Sequence, residues 1–271
     1  MKQKEIVSNR YQIKIFSLGA HFENHGKALP LNIDDYIGRH LAISISKELK
    51  GDYIGHLPYC GDREGKKAKD WNQGVMEKKI VIGGIISDIK REIQKRKKLE
   101  FPSPMCFVLV SGHGGNNYLK EEEENISKKT KVPILYLPPF HNIYIEHKKL
   151  GKLGVTHADH AEHSIADYLG LIDKKNLFKI NNLAKTNPIK ALKKDPAIMG
   201  LGGYVLPEIA GDKYKSLRDR HPELVKTARK FILEDKKIII DKQLGKMFIE
   251  KAVNNGKKTI ELFLKSNSLR G

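Results

Sequence analysis

Met105 to Val110 is an unbroken apolar run, MCFVLV, leading straight into Ser111-Gly112-His113-Gly114-Gly115-Asn116-Asn117. A half-exposed strand alternates apolar and polar residues, so a short run without alternation needs both of its faces buried. A central strand of a parallel sheet, covered by helices, meets that need. Ile13 to Leu18 reads as a second short buried strand ended by Gly19, and Val132 to Leu137 as a third. His56 to Tyr59 and Gly154 to Thr156 are shorter candidates. Between them lie helical patterns. Asp34 or Asp35 can cap a helix running to about Leu49, with Ile37, Leu41, Ile45 and Leu49 at four-residue steps. Lys78 to Lys98 carries Ile82, Ile85, Ile86, Ile89 and Ile93 at amphipathic spacing, and Pro102 and Pro104 end it. Ala161 to Leu169 starts another helix, with Ile165, Tyr168 and Leu169 facing inward.

Strands alternating with helices at this spacing predict a layered α/β fold with a mainly parallel central sheet flanked by helices. Beyond Pro207 the pattern becomes a helical, lysine-rich C-terminal extension: Pro222 to Leu233 and Asp241 to Leu264, separated by Ile238 to Ile240. No repeat or linker breaks the chain, so residues 1–271 are expected to form one domain, with a motif-bearing core at 13–170 and a helix-rich part at 207–271.

The chain is 39% hydrophobic and 30% charged, with two cysteines, Cys60 and Cys106, and no stretch near the roughly 18 apolar residues of a membrane span. MKQKEIVSNR has no apolar core, so no signal peptide is read there. A cytoplasmic protein without a disulfide framework, and no membrane partner, is the expectation. The formal net charge of +18 has two readings: solvated lysine-rich faces, or a field that attracts anions such as a phosphorylated small substrate. Aromatic residues do not interleave with the basic runs Lys90 to Lys98 and Lys174 to Lys194, so the stacking platforms of single-strand nucleic-acid binders are missing.

Three polar clusters carry potential chemistry. The first, after Leu18, packs Glu23, His25 and Asp34 into twelve residues. Carboxylate and imidazole are ligands for zinc, iron and manganese, and a carboxylate can bridge two ions about 3.5–4 Å apart. A polar loop with Asp34 as a simple helix cap fits these residues equally well. The second is His113 among Gly112, Gly114 and Gly115 at the end of the apolar run, where glycine lets backbone approach a ligand closely. The third is His157-Ala158-Asp159-His160-Ala161-Glu162-His163-Ser164. There Asp159 can act as a helix cap. His157 and Glu162 can move protons, bind metal or position water, and His160 and His163 read as solvent-facing bystanders. Glu121 to Glu124 reads as a solvated turn, and His141 and His147 lie in a loop-like segment.

In this order the clusters resemble the blocks of the creatinine amidohydrolase (creatininase) family: GS-x-E-Q-H-G…LP…D at Gly19 to Asp34, GHGGN at Gly112 to Asn116, and HAG-x-x-E-T-S at His157 to Ser164. The resemblance covers about Ile13 to Leu169 and does not extend past Leu171. Within the family, LGAHFENHGKALPLNIDD is most similar to the archaeal formamide deformylases of riboflavin and coenzyme F420 biosynthesis. Asn24, HAD in place of HAG and EHS in place of ETS depart from the general pattern.

The resemblance implies two divalent metals, ferrous iron foremost, with zinc or manganese also suited to these ligands. It places Glu23 and His113 on one metal, His25 on the other and Asp34 between them. Where creatininase proper has a glutamate two residues after the histidine of the second block, this chain has Gly115. Glu162 is the candidate for the further ligand that the second metal needs. His157 is then the proton-transfer residue, and Gly114, Gly115 and Asn116 the substrate and oxyanion contacts. The implied reaction is hydrolysis of the formamide of a phosphoribosylated formylaminopyrimidine, in a homo-oligomer. Two alternatives stand beside it: another amidohydrolase of the family acting on a cyclic amide or peptide, and a metal-free basic protein that binds nucleic acid.

Overall fold

The computed structural model describes residues 12–97 and 105–268. They divide into two compact units, one drawn from residues 12–22, 34–97, 105–139 and 252–268, the other from Glu23–Ile33 and Phe140–Lys251.

The first unit is built on four strands, β1 (Gln12–Leu18), β2 (Asp52–Leu57), β3 (Met105–Ser111) and β4 (Ile134–Leu137). They pair in the order β2-β1-β3-β4, every neighbour parallel. The register sets Leu18 beside both Leu57 and Ser111. Phe107, Val108 and Leu109 are fully buried, so β3 is covered on both faces as its unbroken apolar run requires. On one face Phe16, Phe107, Leu109 and Tyr136 pack with Val81, Ile85 and Ile89 of α2 (Lys78–Lys97) and Ile126 of α3 (Glu123–Thr130), α1 being Ile33–Leu49. Side chains alternate along a strand, so Leu137 turns to the opposite face from Tyr136. Leu137 and Ile45 of α1 both abut Gly256 of the long helix Lys242–Ser268. The apolar stripe Ile37, Leu41 and Ile45 is buried; Leu49 at its end is half-buried.

The second unit opens with an antiparallel hairpin, β5 (Ile145–His147) and β6 (Gly151–Leu153). A run of helices follows: α4 (His160–Tyr168), α5 (Lys174–Thr186), α6 (Pro188–Lys194), α7 (Ile198–Val205), α8 (Pro207–Ala210), α9 (Lys215–Arg220) and α10 (Pro222–Lys230). Asp159, Asp173 and Asn187 cap α4, α5 and α6 by accepting the amides of Glu162, Asn176 and Lys190. Each such cap is worth about 1 kcal/mol over alanine. Inside α7 the backbone turns left-handed at Met199 (φ 52°), Gly200 (φ 70°) and Leu201 (φ 57°). The amides of Met199 and Gly200 donate to the carbonyls of Ala158 and His157, at 3.0 and 2.7 Å.

Several expectations are corrected. The strand expected at His56 to Tyr59 is β2, which begins at Asp52 because Lys14 and Ile15 of β1 pair with Asp52 and Tyr53. No strand forms at Gly154 to Thr156; the hairpin lies just before it, with His147 in β5 and its Nε2 3.3 Å from Asp241. Asp34 and Asp35 do not cap α1, which starts at Ile33 and places both in its first turn. There the exposed amides and helix dipole still favour a carboxylate. No helix of the described residues is long and apolar enough to cross a membrane.

Candidate metal centre

In the first unit the sheet order reverses between β1 and β3, since β2 lies on one side and β4 on the other. Ligands of open α/β sheets gather beyond the carboxyl ends of strands at such a point. The chain leaves β3 at Gly112, where a Cβ would lie 2.0 Å from the Asp34 carbonyl oxygen and 2.6 Å from the Gly38 amide. At Gly38 a Cβ would lie 2.3 Å from the Leu18 carbonyl oxygen. The strand ends and the first turn of α1 therefore meet backbone to backbone, and only glycine fits. That contact sets Asp34 Oδ2 2.9 Å from His113 Nδ1, with both side chains buried.

Asp35, next in the turn, takes hydrogen bonds from His21 at 2.8 Å and lies 3.2 Å from His56 Nε2. Burial pushes its carboxyl pKa up, but the hydrogen bonds from His56 and His21 outweigh it and hold the group below the usual carboxylate value. Asn116 is fully buried; its Oδ1 accepts the Gly61 amide at 2.9 Å and its Nδ2 donates to the Gly19 carbonyl at 3.2 Å. Both ends of that amide side chain are thus tied to the loops after β1 and β2. Sequence reasoning passed over Asp62, which lies in the segment after β2. Its buried Oδ2 is 4.0 Å from His113 Nε2.

The second unit gathers Glu23, His25, His157 and Glu162. His25 Nδ1 lies 3.1 Å from the Glu23 carbonyl oxygen, which can only accept, so the proton sits on Nδ1 and Nε2 carries the lone pair. Around Nε2 stand Glu162 Oε2 at 3.7 Å and Glu23 Oε2 at 3.8 Å. His157 Nε2 likewise donates to the Asn24 carbonyl at 2.8 Å, leaving the Nδ1 lone pair 3.6 Å from Glu23 Oε1. The two imidazoles stack with centroids 4.1 Å apart. Glu162 is fixed by the start of α4: its amide is capped by Asp159 at 2.9 Å and its Oε2 accepts the Ala158 amide at 2.5 Å. Separations of 3.6–3.8 Å are too long for hydrogen bonds but suit donors gathered around metal ions about 2.0–2.2 Å from their ligands. Glu23, His25 and His157 each offer an atom to one such cluster. The donor set fits a divalent metal.

His160 and His163 are not solvent-facing. Both are buried, His160 bonding Asp235 at 2.9 Å and accepting the Ile239 amide at 3.1 Å. His163 Nδ1 donates to the Asp159 carbonyl at 2.9 Å, and its buried Nε2 has no hydrogen-bond partner among the described residues. Burial lowers its pKa from 6.5 to about 4. The unfolded chain therefore binds a proton that the folded one refuses, so this contribution to stability is complete above pH 6.5 and is lost as pH falls toward 4. The loss is on the order of 3 kcal/mol. Urea denaturation of His163→Leu should show a flatter pH dependence across that window than the parent chain; an identical slope would contradict the assignment.

The chain was compared with known proteins. No family model matches it. A solved structure described as a creatinine amidohydrolase from Bacteroides fragilis superposes with a TM-score of 0.55 at 16% identity, covering 94% of this chain and 90% of that one. A creatininase variant superposes with a TM-score of 0.54 at 14% identity, covering 96% and 94%. The chain has the creatininase fold. A further creatininase variant, of Zn–Zn type, matches at a TM-score of 0.53 and 13% identity over 96% of this chain and 93% of its own.

Among curated proteins, relatives named 2-amino-5-formylamino-6-ribosylaminopyrimidin-4(3H)-one 5'-monophosphate deformylase match nearly end to end. The one from Methanosphaera stadtmanae is 28% identical over 254 residues, covering 92% of this chain and 91% of that protein. The one from Methanobrevibacter smithii is 24% identical over 254 residues, covering 94% and 92%. These matches agree with the resemblance carried by the sequence blocks, and they continue past Leu171, where the blocks end. The creatininase fold also accounts for the parallel sheet and the helical C-terminal part.

Proposed function

We propose that the chain is a metal-dependent amidohydrolase that deformylates 2-amino-5-formylamino-6-(5-phospho-ribosylamino)pyrimidin-4(3H)-one, releasing formate and the 2,5-diamino product for riboflavin and coenzyme F420 synthesis. The observation that carries the metal-dependent part is the His25 imidazole, with its lone-pair nitrogen 3.7 and 3.8 Å from two buried carboxylates. The substrate is supported by the names of the relatives and by the LGAHFENHGKALPLNIDD stretch.

The ligand assignment is the one the resemblance implies: Glu23 and His113 on one ion, His25 and Glu162 on the other, Asp34 on both. The ions are ferrous iron in the cell, with zinc or manganese as substitutes. Two such ions, when bound, supply Lewis acidity and a water that ionises near neutral pH. The chain's own residues do the rest. His157 is held by Asn24 through Nε2, so its Nδ1 is the atom that takes up a proton and passes it to the departing amine. Water adds to the formyl carbon, the C–N bond breaks, and the proton on His157 completes the amino group. The amides of Gly114 and Gly115 face the developing oxyanion, with Asn116 bracing the loop. The net charge of +18 attracts the substrate phosphate. A small phosphorylated pyrimidine as partner, a cytoplasmic homo-oligomer, and no role for nucleic acid or membrane complete the reading.

Anaerobic purification, ferrous iron and the formylaminopyrimidine should yield one formate per substrate consumed. Metal-loaded protein that releases no formate but opens creatinine or another cyclic amide would replace this reading with the broader amidohydrolase one.

A further inference from the structure

We propose that His21 and Phe22 recognise the heterocyclic ring of the substrate, His21 by accepting one of its N–H groups and Phe22 by stacking on its face. This rests on the formylaminopyrimidine reading above. What sets His21 apart from an ordinary surface histidine lies behind it. Its side chain is 59% exposed, yet its Nδ1 is 2.8 Å from Oδ2 of the buried Asp35.

Beyond Asp35 a line of polar side chains continues under the ends of β1 and β2. His56 Nε2 lies 3.2 Å from Asp35 Oδ1, His56 Nδ1 2.9 Å from Ser17 Oγ, and Ser17 Oγ 3.1 Å from the Tyr53 hydroxyl. One assignment of protons satisfies every link. The carboxylate accepts Nδ1–H of His21 and Nε2–H of His56, His56 Nδ1 accepts from Ser17, and Ser17 accepts from Tyr53. Asp35 is also seated on the backbone that leaves β1: a Cβ on Gly19 would lie 2.3 Å from its Oδ1 and 2.6 Å from its Cα. Burying polar side chains costs free energy unless each is paired. Here the paired network ends on a single exposed imidazole and fixes its orientation, the support a recognition group needs.

With the proton on Nδ1, His21 Nε2 carries the lone pair, and no described residue bonds to it. A lone pair with a carboxylate behind it repels an anion, so the substrate phosphate is not its ligand. It takes an N–H donor, and an aminopyrimidinone carries these on its ring and its amino groups. Asp35 follows Asp34 in the first turn of α1, so His21 stands on the same rim of strand ends as Asp34 and His113. Phe22 is next to it, 51% exposed, its ring perpendicular to the imidazole with centroids 4.4 Å apart. Its carbonyl accepts the Gln73 amide at 3.1 Å, and a Cβ on Gly74 would lie 3.3 Å from its Cδ2, so the ring is held from one side and open on another.

The test measures binding of the triaminopyrimidinone base of the product by calorimetry, together with KM for formate release. Phe22→Ala should bind the base about 5–150-fold more weakly, and His21→Ala about 2–10-fold. KM should rise in step, while metal per chain and thermal unfolding stay near the parent's. Phe22→Tyr should keep the parent's affinity and Phe22→Leu should not, because leucine is apolar but has no π-face. A parent protein that does not bind the base would overturn the proposal, as would alanine variants that bind it equally well or a leucine variant that matches the parent. Base binding that both alanine variants weaken, in a chain that releases no formate, would uphold the pair and sink the deformylase reading instead.

Discussion

Asp34→Ala should retain neither ion and lose formate release by more than the about 100-fold that substitutions outside the ligand set produce. As the one residue assigned to both ions, it cannot be lost from one alone. The fold should survive the change. Asp34 sits in the first turn of α1, where a carboxylate contributes about 0.3–1 kcal/mol through the helix dipole, and alanine is a strong helix former. The check is metal per chain by elemental analysis, alongside thermal unfolding of metal-free protein. A folded variant that still holds two ions would remove Asp34 from the bridging role.

Gly112→Ala should be strongly destabilising. Its Cβ would stand 2.0 Å from the Asp34 carbonyl oxygen and 2.6 Å from the Gly38 amide, both backbone atoms that cannot rotate aside. Overpacking against adaptable side chains typically costs 1–3 kcal/mol, so about 3 kcal/mol or more is expected here. Relief must come from parting β3 and α1, which moves His113 away from Asp34, so metal affinity should fall together with stability. Gly114→Ala, two residues on, is the control. Beyond its chain neighbours, no atom of the described residues lies within 4 Å of its Cβ, and a change of within about 0.5 kcal/mol is expected. Equal losses in the two variants, read from denaturant midpoints, would contradict the close approach at Gly112.

What the sequence reveals depends on whether a feature leaves a one-dimensional trace. The β3 run and the isoleucine stripe of α2 are periodic over many residues, and both elements formed where the pattern put them. The three polar clusters were legible because several chemically unusual residues crowd short windows. His160 and His163 were misread because a short helix buried on every side shows no polar face to read inward from; His160 through Ala166 are all buried. Asp62 left no trace at all. A single aspartate in a polar loop looks like solvent-facing turn material until the fold brings it to His113. The β5–β6 hairpin was missed for a related reason, since three-residue strands are too short for alternation to register. The left-handed turn in α7 was equally hidden, because the sequence offers glycine at only the middle of its three left-handed positions.

That turn has a consequence for how the neighbourhood of His157 can be probed. The bonds from residues 199 and 200 to the carbonyls of Ala158 and His157 are made by peptide N–H groups. Left-handed geometry at Met199 and Leu201 costs each roughly 1–2 kcal/mol. Alanine scanning across the turn removes side chains and leaves both amides in place. It therefore reports packing and is blind to the clasp on the histidine's backbone. Chemical replacement of the Gly200 amide by an ester deletes that donor, and loosens His157 without altering any side chain around it.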